Sequence, residues 1–174
     1  EEKGWWYAIE AVLAVNKQIP NSVQLILLGE GTYLQQLKQT YQQEAALQFL
    51  PHTNNVLPFI LSANIGLLPS YYIAESLPNI VIEYLFCGKP VIASQIGAIK
   101  EMLAANEEEA GFCIPLFEGK PLVNDFKNAI LHYVGQPALL QQHSELAVVA
   151  AQKFNMTFCV QQYRELFNRL QSNK

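Results

Sequence analysis

Short, unbroken apolar runs set apart by stretches of helical periodicity limit most strongly what this chain can fold into. Residues 23–28 are apolar but for one glutamine and close on Gly29-Glu30-Gly31, residues 65–68 stop at Pro69, and residues 91–93 follow Gly88-Lys89-Pro90. A run that is apolar at consecutive positions has no polar face to give to water, so it reads as a strand covered on both sides. Residues 47–50, stopped by Pro51, and 111–114 read as two further strands. Between them lie helical patterns at 5–17 (Trp5, Ile9, Val12 and Leu13 on one face), 34–43, 57–62, 79–86 and 99–103. Three more, at 122–134, 137–153 and 157–170, complete the chain. Strands alternating with helices at this spacing predict βαβ units, hence an α/β, Rossmann-like parallel sheet with helices on both faces. Such a sheet normally starts on a central strand. This pattern opens instead on a charged turn and a helix, so the N-terminal central strand is missing from it.

The chain has 174 residues, 51% hydrophobic and 15% charged, enough to bury one two-sided core. Its 15 acidic against 11 basic residues give a net charge of −4 and no basic stripe, which argues against a nucleic-acid partner. One anionic small molecule needs only a helix N-terminus and a cation or two. Cys87, Cys113 and Cys159 form no CxxC pair and read as reduced core thiols. His52, His132 and His143 lack metal-ligand spacing, so no metal is expected. No signal peptide and no apolar run of about 18 residues is present. The expected location is the cytoplasm, with peripheral attachment to the inner face of the membrane left open.

Open α/β sheets bind ligands beyond the carboxyl ends of their strands, which singles out the loops after residues 28, 50, 68 and 93. Gly29-Glu30-Gly31 stands between a strand and a helix, as a dinucleotide fingerprint would. Leu34, however, occupies the place of the third glycine, which argues against a nicotinamide cofactor. The turn reads equally as one that needs φ > 0 and as one that also passes close to a ligand. The stronger signal is Glu75-Ser-Leu-Pro-Asn-Ile-Val-Ile-Glu83. Pro78 or Asn79 marks a helix start, and the free backbone N–H groups around Asn79 and Ile80 form an anion site suited to a diphosphate. Glu75 precedes that site and Glu83 lies about one turn inside the helix. Ionised carboxylates accept paired hydrogen bonds from vicinal hydroxyls, so the two could clamp two sugar rings. As bare chemistry the pair also reads as one surface and one helix-interior carboxylate.

The segment resembles the E-x7-E motif of retaining GT-B glycosyltransferases, in particular family 4, the glycosyl transferases of group 1. Lys3-Gly4 is similar to the family's K-G before its first helix, and Leu25-Ile-Leu-Leu-Gly-Glu-Gly31 to its strand and GxG turn. Ile65-Gly-Leu-Leu-Pro-Ser70 resembles its strand ending in P-S, and Gly88-Lys-Pro-Val-Ile-Ala-Ser94 its G-x-P-V-I-A stretch. Gly97 with Glu101 resembles the G-x-x-x-E that follows, and the likeness runs in order from about residue 3 to 114.

This resemblance implies that the chain is the C-terminal, donor-binding half of a GT-B enzyme, with a nucleotide-diphosphate sugar as ligand and no cofactor or metal. Lys3 would pair with the donor phosphates, and Gly29 and Gly31 would let the backbone pass close to the nucleotide. Residues 50–52 would border the base. Glu75, the catalytic candidate, would hydrogen-bond the transferred sugar, orienting it rather than attacking it. Backbone groups of Ser76, Leu77, Pro78, Asn79 and Ile80 would cradle the phosphates, and Glu83 would hold the ribose diol. Gly97 would shape the loop, and Lys100 reads as surface. The family's arginine, a few residues before the lysine, has no counterpart in this sequence. An N-terminal acceptor-binding domain would be the partner, braced by the last helix (residues 155–174) through Phe158, Tyr163, Leu166 and Phe167. Packing of that stripe on its own domain is the alternative. The implied reaction transfers a hexose with retention to a glycan or lipid-linked acceptor in bacterial surface polysaccharide synthesis, and the 174 residues alone would be inactive. The other readings are a nucleotide-sugar 2-epimerase of the same fold, a non-catalytic sugar-nucleotide-binding module and, least fitting, a glycosidase.

Overall fold

The computed structural model describes residues 1–172; the end of the expected last-helix span, residues 173–174, lies outside the described residues. Helix α1 (Trp5–Gln18) buries Ala8, Ala11, Val12 and Val15, one apolar stripe at helical spacing. Strand β1 (Leu25–Leu28), α2 (Thr32–Thr40), β2 (Leu47–Leu50), α3 (Leu57–Ser62), β3 (Gly66–Leu68), α4 (Asn79–Phe86) and β4 (Val91–Ser94) follow. Then come α5 (Ile99–Leu103), β5 (Ala104–Ala105), β6 (Glu108–Glu109), β7 (Gly111–Ile114), α6 (Val123–Gly135), α7 (Pro137–Ala151), a 3-10 turn (Gln152–Phe154) and α8 (Met156–Ser172).

Every long-range strand pairing is parallel, as the apolar runs require. Leu25 to Leu28 pair in step with Leu47 to Leu50. Gly66 to Leu68 pair with Val91 to Ala93, and Val91 to Ser94 with Gly111 to Ile114. The strands form two ladders, β2-β1 and β3-β4-β7, and no ladder joins β1 to β3 among the described residues. Helices cover both faces. Strand β4 shows it by its period of two: Ile92 packs with Ile9 of α1 and Phe126 and Ile130 of α6. Its neighbours Val91 and Ala93 join the opposite core, with Val81 and Leu85 of α4, Met102 of α5 and Ala147 of α7. The α/β, helix-covered parallel architecture expected from the sequence is the one observed.

Differences at the element ends have local causes. The first strand begins at Leu25 rather than 23 because Val23 is held by Asn16 of α1, through its N–H to Oδ1 (3.1 Å) and its carbonyl to Nδ2 (2.9 Å). Helix α2 stops at Thr40; the Tyr41 hydroxyl turns away to donate to the Glu10 carboxylate at 2.5 Å. Burial, with that hydrogen bond, pushes the Tyr41 pKa up to about 12. The penultimate helix ends at Ala151, two residues before Lys153, whose ammonium caps α5 by donating to the carbonyls of Glu101 (2.6 Å) and Ala104 (2.5 Å). The two-residue β5–β6 hairpin is too short to leave a periodicity in the sequence. Helix α8 packs chiefly against the 3-10 turn before it, and Phe158, Tyr163, Leu166 and Phe167 are all exposed.

A ring cluster seals β7 against α6 and α7. Phe112, Tyr133 and His143 meet edge-on or tilted with centroids 5.1–5.7 Å apart, and the Tyr133 hydroxyl lies 2.8 Å from His143 Nδ1. Burial lowers the His143 pKa from 6.5 against the opposite pull of Glu108 and Glu109. The unfolded chain therefore takes up this proton first as the pH falls, so the contribution of this site to stability is complete above about pH 6.5 and declines below it. Melting temperatures measured from about pH 8 to about pH 5 are expected to fall below about pH 6.5. In His143→Gln the fall should be shallower, and an unchanged pH profile would exclude His143 as its source.

Candidate functional site

The site is built where β3 gives out. Pro69 and Ser70 follow Leu68, and the first four residues of the chain lie across them. The Tyr71 amide donates to the Glu2 carbonyl at 2.9 Å. Gly4 has φ 74, and a Cβ there would stand 1.8 Å from the Pro69 carbonyl oxygen. Only glycine permits both the left-handed turn and that approach. The turn delivers Lys3 to the loop after β3, where its ammonium pairs with the Glu75 carboxylate and lies 5.5 Å from the centroid of the Tyr72 ring. Glu75 is the sheltered partner, with its side chain 12% exposed against 54% for Lys3.

Ser70 lies beneath this pair, wholly buried. Its Oγ is 3.3 Å from both the Glu75 carboxylate and the Glu2 carbonyl, and it accepts from the Tyr72 amide at 3.3 Å. The single hydroxyl proton serves one of the two acceptors at a time. Gly97, φ 51, backs the loop from the other side. A Cβ there would lie 2.1 Å from the Glu75 carbonyl oxygen, and the neighbouring Ala98 amide donates to the Ser76 carbonyl at 2.8 Å.

Pro78, extended at φ −67 and ψ 115, turns the loop into α4 with no side-chain cap. The Val81 amide bonds back to Pro78, which leaves the Asn79 and Ile80 amides at the open first turn. A cavity of about 1050 Å³ is lined by Lys3, Trp5, Glu75, Pro78, Asn79 and Ile80 and runs on between the two ladders. One flexible cation, one sheltered carboxylate and a bare helix N-terminus thus face the same space, an arrangement that can take an anion beside a hydroxylated ring.

The other expected residues stand outside that lining. Ser76 and Leu77 are exposed on the loop. Glu83 is exposed on α4; its charge adds to the burial that pushes the Tyr84 hydroxyl up to about 12. Gly29 faces the Trp5 indole, which a Cβ would approach to 2.7 Å, whereas Gly31, φ 119, has nothing within 4 Å of the place a Cβ would take. His52 is exposed and 3.3 Å from Asn54 Oδ1. Burial pushes the Cys113 thiol up to about 11, so it is no nucleophile near neutral pH. Among the described residues no cluster of three His, Cys, Asp or Glu could hold a metal, and no helix is long and apolar enough to cross a membrane. The sequence reading passed over Ser70 as a ligand-side residue. Its place directly after a strand that ends at the carboxyl edge was the available signal.

The fold is the α/β type found in GT-B glycosyltransferases. The pattern of the family described as "Glycosyl transferases group 1" matches residues 1–136, and the chain belongs to that family. An uncharacterized glycosyltransferase of Methanocaldococcus jannaschii is 33% identical over 97 residues, 54% of this chain and 23% of its own length. Sucrose-phosphate synthase of Thermosynechococcus elongatus superposes with a TM-score of 0.74 at 26% identity, covering 99% of this chain and 43% of the synthase. HepE of Anabaena, solved with UDP-glucose, superposes with a TM-score of 0.71 at 21% identity over 94% of this chain and 46% of its own. The chain thus spans from about a quarter to under half the length of these relatives.

The contact between Gly97 and the Glu75 backbone is directly testable. Gly97→Ala must shift the loop or strain the αL turn, at a cost of about 1–3 kcal/mol. We expect a melting temperature lower by roughly 2–12 °C. A variant with the parent's stability would show that the loop does not lean on this glycine.

Proposed function

We propose that this chain is the donor-binding part of a retaining glycosyltransferase that uses a nucleotide-diphosphate sugar. The observation that carries the reading is the Lys3–Glu75 pair beside the open first turn of α4. An exposed ion pair is worth at most about 1 kcal/mol, so Lys3 changes partner readily. When the donor enters, the Lys3 ammonium moves to the diphosphate, whose oxygens also take the Asn79 and Ile80 amides and the positive end of α4. Glu75 is then free to accept hydrogen bonds from hydroxyls of the sugar.

Transfer breaks the bond between the anomeric carbon and the diphosphate oxygen and forms one to the acceptor hydroxyl on the same face. The acceptor proton passes to the leaving phosphate. Charge grows on that phosphate, and Lys3 and the α4 N-terminus stabilise it without a metal. Glu75 orients the ring. Glu83 reaches the ribose diol, Ser76 to Pro78 line the phosphates, and Gly29 and Gly31 give the nucleotide room. An acceptor-binding domain completes the cleft, and the exposed stripe on α8 is suited to brace it. The acceptor class is a glycan or lipid-linked sugar of a bacterial surface polysaccharide, handled in the cytoplasm at the inner face of the membrane.

Calorimetry with UDP-, GDP- and ADP-sugars tests the reading. One nucleotide class should bind, and Lys3→Ala or Glu83→Ala should weaken it by about 10- to 150-fold, the equivalent of one lost charged hydrogen bond. Binding unaffected by either change would overturn the assignment. The 174-residue chain alone should release no product. In the full-length protein the product should keep the donor's anomeric configuration, whereas a product epimerised at C2 would identify an epimerase.

A further inference from the structure

Two groups hold the Lys3 ammonium: the Glu75 carboxylate and the face of the Tyr72 ring, whose centroid is 5.5 Å away. One closed turn carries both. The Glu75 amide donates to the Tyr72 carbonyl at 2.9 Å, which makes residues 72–75 a hydrogen-bonded turn. Buried Ser70 pins that turn at its two ends, for its Oγ accepts from the Tyr72 amide and lies 3.3 Å from the Glu75 carboxylate. The preceding Tyr71 is spent on the fold. Its ring meets Tyr7 of α1 edge-on with centroids 5.9 Å apart, and its amide donates to the Glu2 carbonyl. Tyr72, by contrast, is exposed, and among the described residues no second ring stacks on it.

An aromatic face is the negative side of the ring's quadrupole and attracts positively polarised groups, while a carboxylate accepts from N–H and O–H donors. An ammonium satisfies both demands, and so does a pyranose. The carbons of a sugar ring carry oxygen, which leaves their C–H bonds positively polarised. Those bonds gather on the faces of the ring, and the hydroxyls project around its edge. The partners of Lys3 are thus one group suited to the face of a sugar and one suited to its edge. Neither holds the cation firmly, because Lys3 is the exposed member of its pair and exposed cation–π contacts and ion pairs are weak.

We propose that Tyr72 is a sugar-binding residue, the face on which the donor's pyranose ring stacks while Glu75 accepts from its hydroxyls. This rests on the donor reading above, in which the diphosphate draws Lys3 away. Departure of the ammonium uncovers the ring face and the carboxylate together, so Lys3 keeps the sugar's place until a diphosphate claims it. The subsite therefore opens to a ligand that carries sugar and diphosphate joined, whereas a free sugar has to compete with the ammonium. Because the contact is made by the ring face, the phenolic hydroxyl of Tyr72 has no part in it.

The test separates the sugar from the nucleotide. Calorimetry compares UDP with UDP-glucose, GDP with GDP-mannose and ADP with ADP-glucose, on the parent and on Tyr72→Leu and Tyr72→Phe. Leucine keeps an apolar side chain without a π face, and phenylalanine keeps the face without the hydroxyl. In Tyr72→Leu the affinity for the nucleotide sugar should fall by about 3- to 12-fold and that for the matching nucleoside diphosphate should stay within about twofold, while Tyr72→Phe matches the parent for both. The C–H proton signals of the bound sugar should shift upfield by the ring current in the parent and in Tyr72→Phe, and not in Tyr72→Leu. Equal losses with and without the sugar would show that Tyr72 only shapes the loop. That result, no loss in either, or unshifted sugar protons in the parent would overturn this inference and leave the donor reading standing. A parent that binds none of these compounds would overturn the donor reading and this inference with it.

Discussion

Helix α1 lies against α6, and that contact holds the two ladders in one domain. Ile9, Val12 and Val15 on one helix and Phe126, Ile130 and Tyr133 on the other form the centre of the larger core. Helix α1 also touches β1, and α6 touches β4 and β7, so the helix pair spans a sheet that its own hydrogen bonds leave divided. Fully burying side chains of this size is worth roughly 1.5–3 kcal/mol each. Tyr133 belongs to the same core and carries the hydroxyl that meets His143, so the titration of one histidine is coupled to the packing that spans the ladders.

The site inherits its geometry from this arrangement. Because α1 is fixed by its buried stripe, the turn ahead of it is fixed as well, and Gly4 can press on Pro69. That pressure brings Lys3 within reach of Glu75, 72 positions away in sequence. Ser70 and Gly97 support the Glu75 loop from below and behind, while among the described residues the Lys3 ammonium meets the Glu75 carboxylate and the Tyr72 ring. The fixed member of the pair is the carboxylate and the adjustable one is the ammonium. The proposed reaction, which neutralises a diphosphate while presenting a carboxylate to a sugar ring, needs that division of rigidity.

Most of the architecture was legible because burial on both faces leaves an unmistakable record. A strand such as residues 91–93 has no polar position to confuse it with an amphipathic helix, and the Gly-Lys-Pro ahead of it fixes its start. The hairpin at Ala104–Ala105 and Glu108–Glu109 left no record, since its two-residue strands are held by Asn106 at φ 60 and by packing rather than by any alternation. The open first turn at Asn79 and Ile80 was legible because a proline ahead of an apolar helix marks an N-terminus, whereas Glu75 was singled out by the family pattern. Ser70 was legible only as a position just past the carboxyl end of a strand, and one serine after a proline does not mark its hydroxyl as buried under a carboxylate 5 residues on.

The glycines show why a matching pattern and a physical role must be argued separately. Gly29 and Gly31 together look like a turn made for close approach of a ligand. Gly29, however, has its requirement met inside the chain by the Trp5 indole, so the absence of a side chain there is explained before any nucleotide is invoked. Gly31 differs, because its φ of 119 demands glycine while the space around it is open. Neither glycine therefore needs a ligand to explain it, and only Gly31 leaves open space where one could pass. The same distinction applies to Glu83. Its exposure on α4 satisfies a solvated carboxylate as fully as a ribose would, so its part in the site rests on the family pattern, whereas that of Glu75 rests on shelter, a buried hydroxyl beneath it and a cation it can give up.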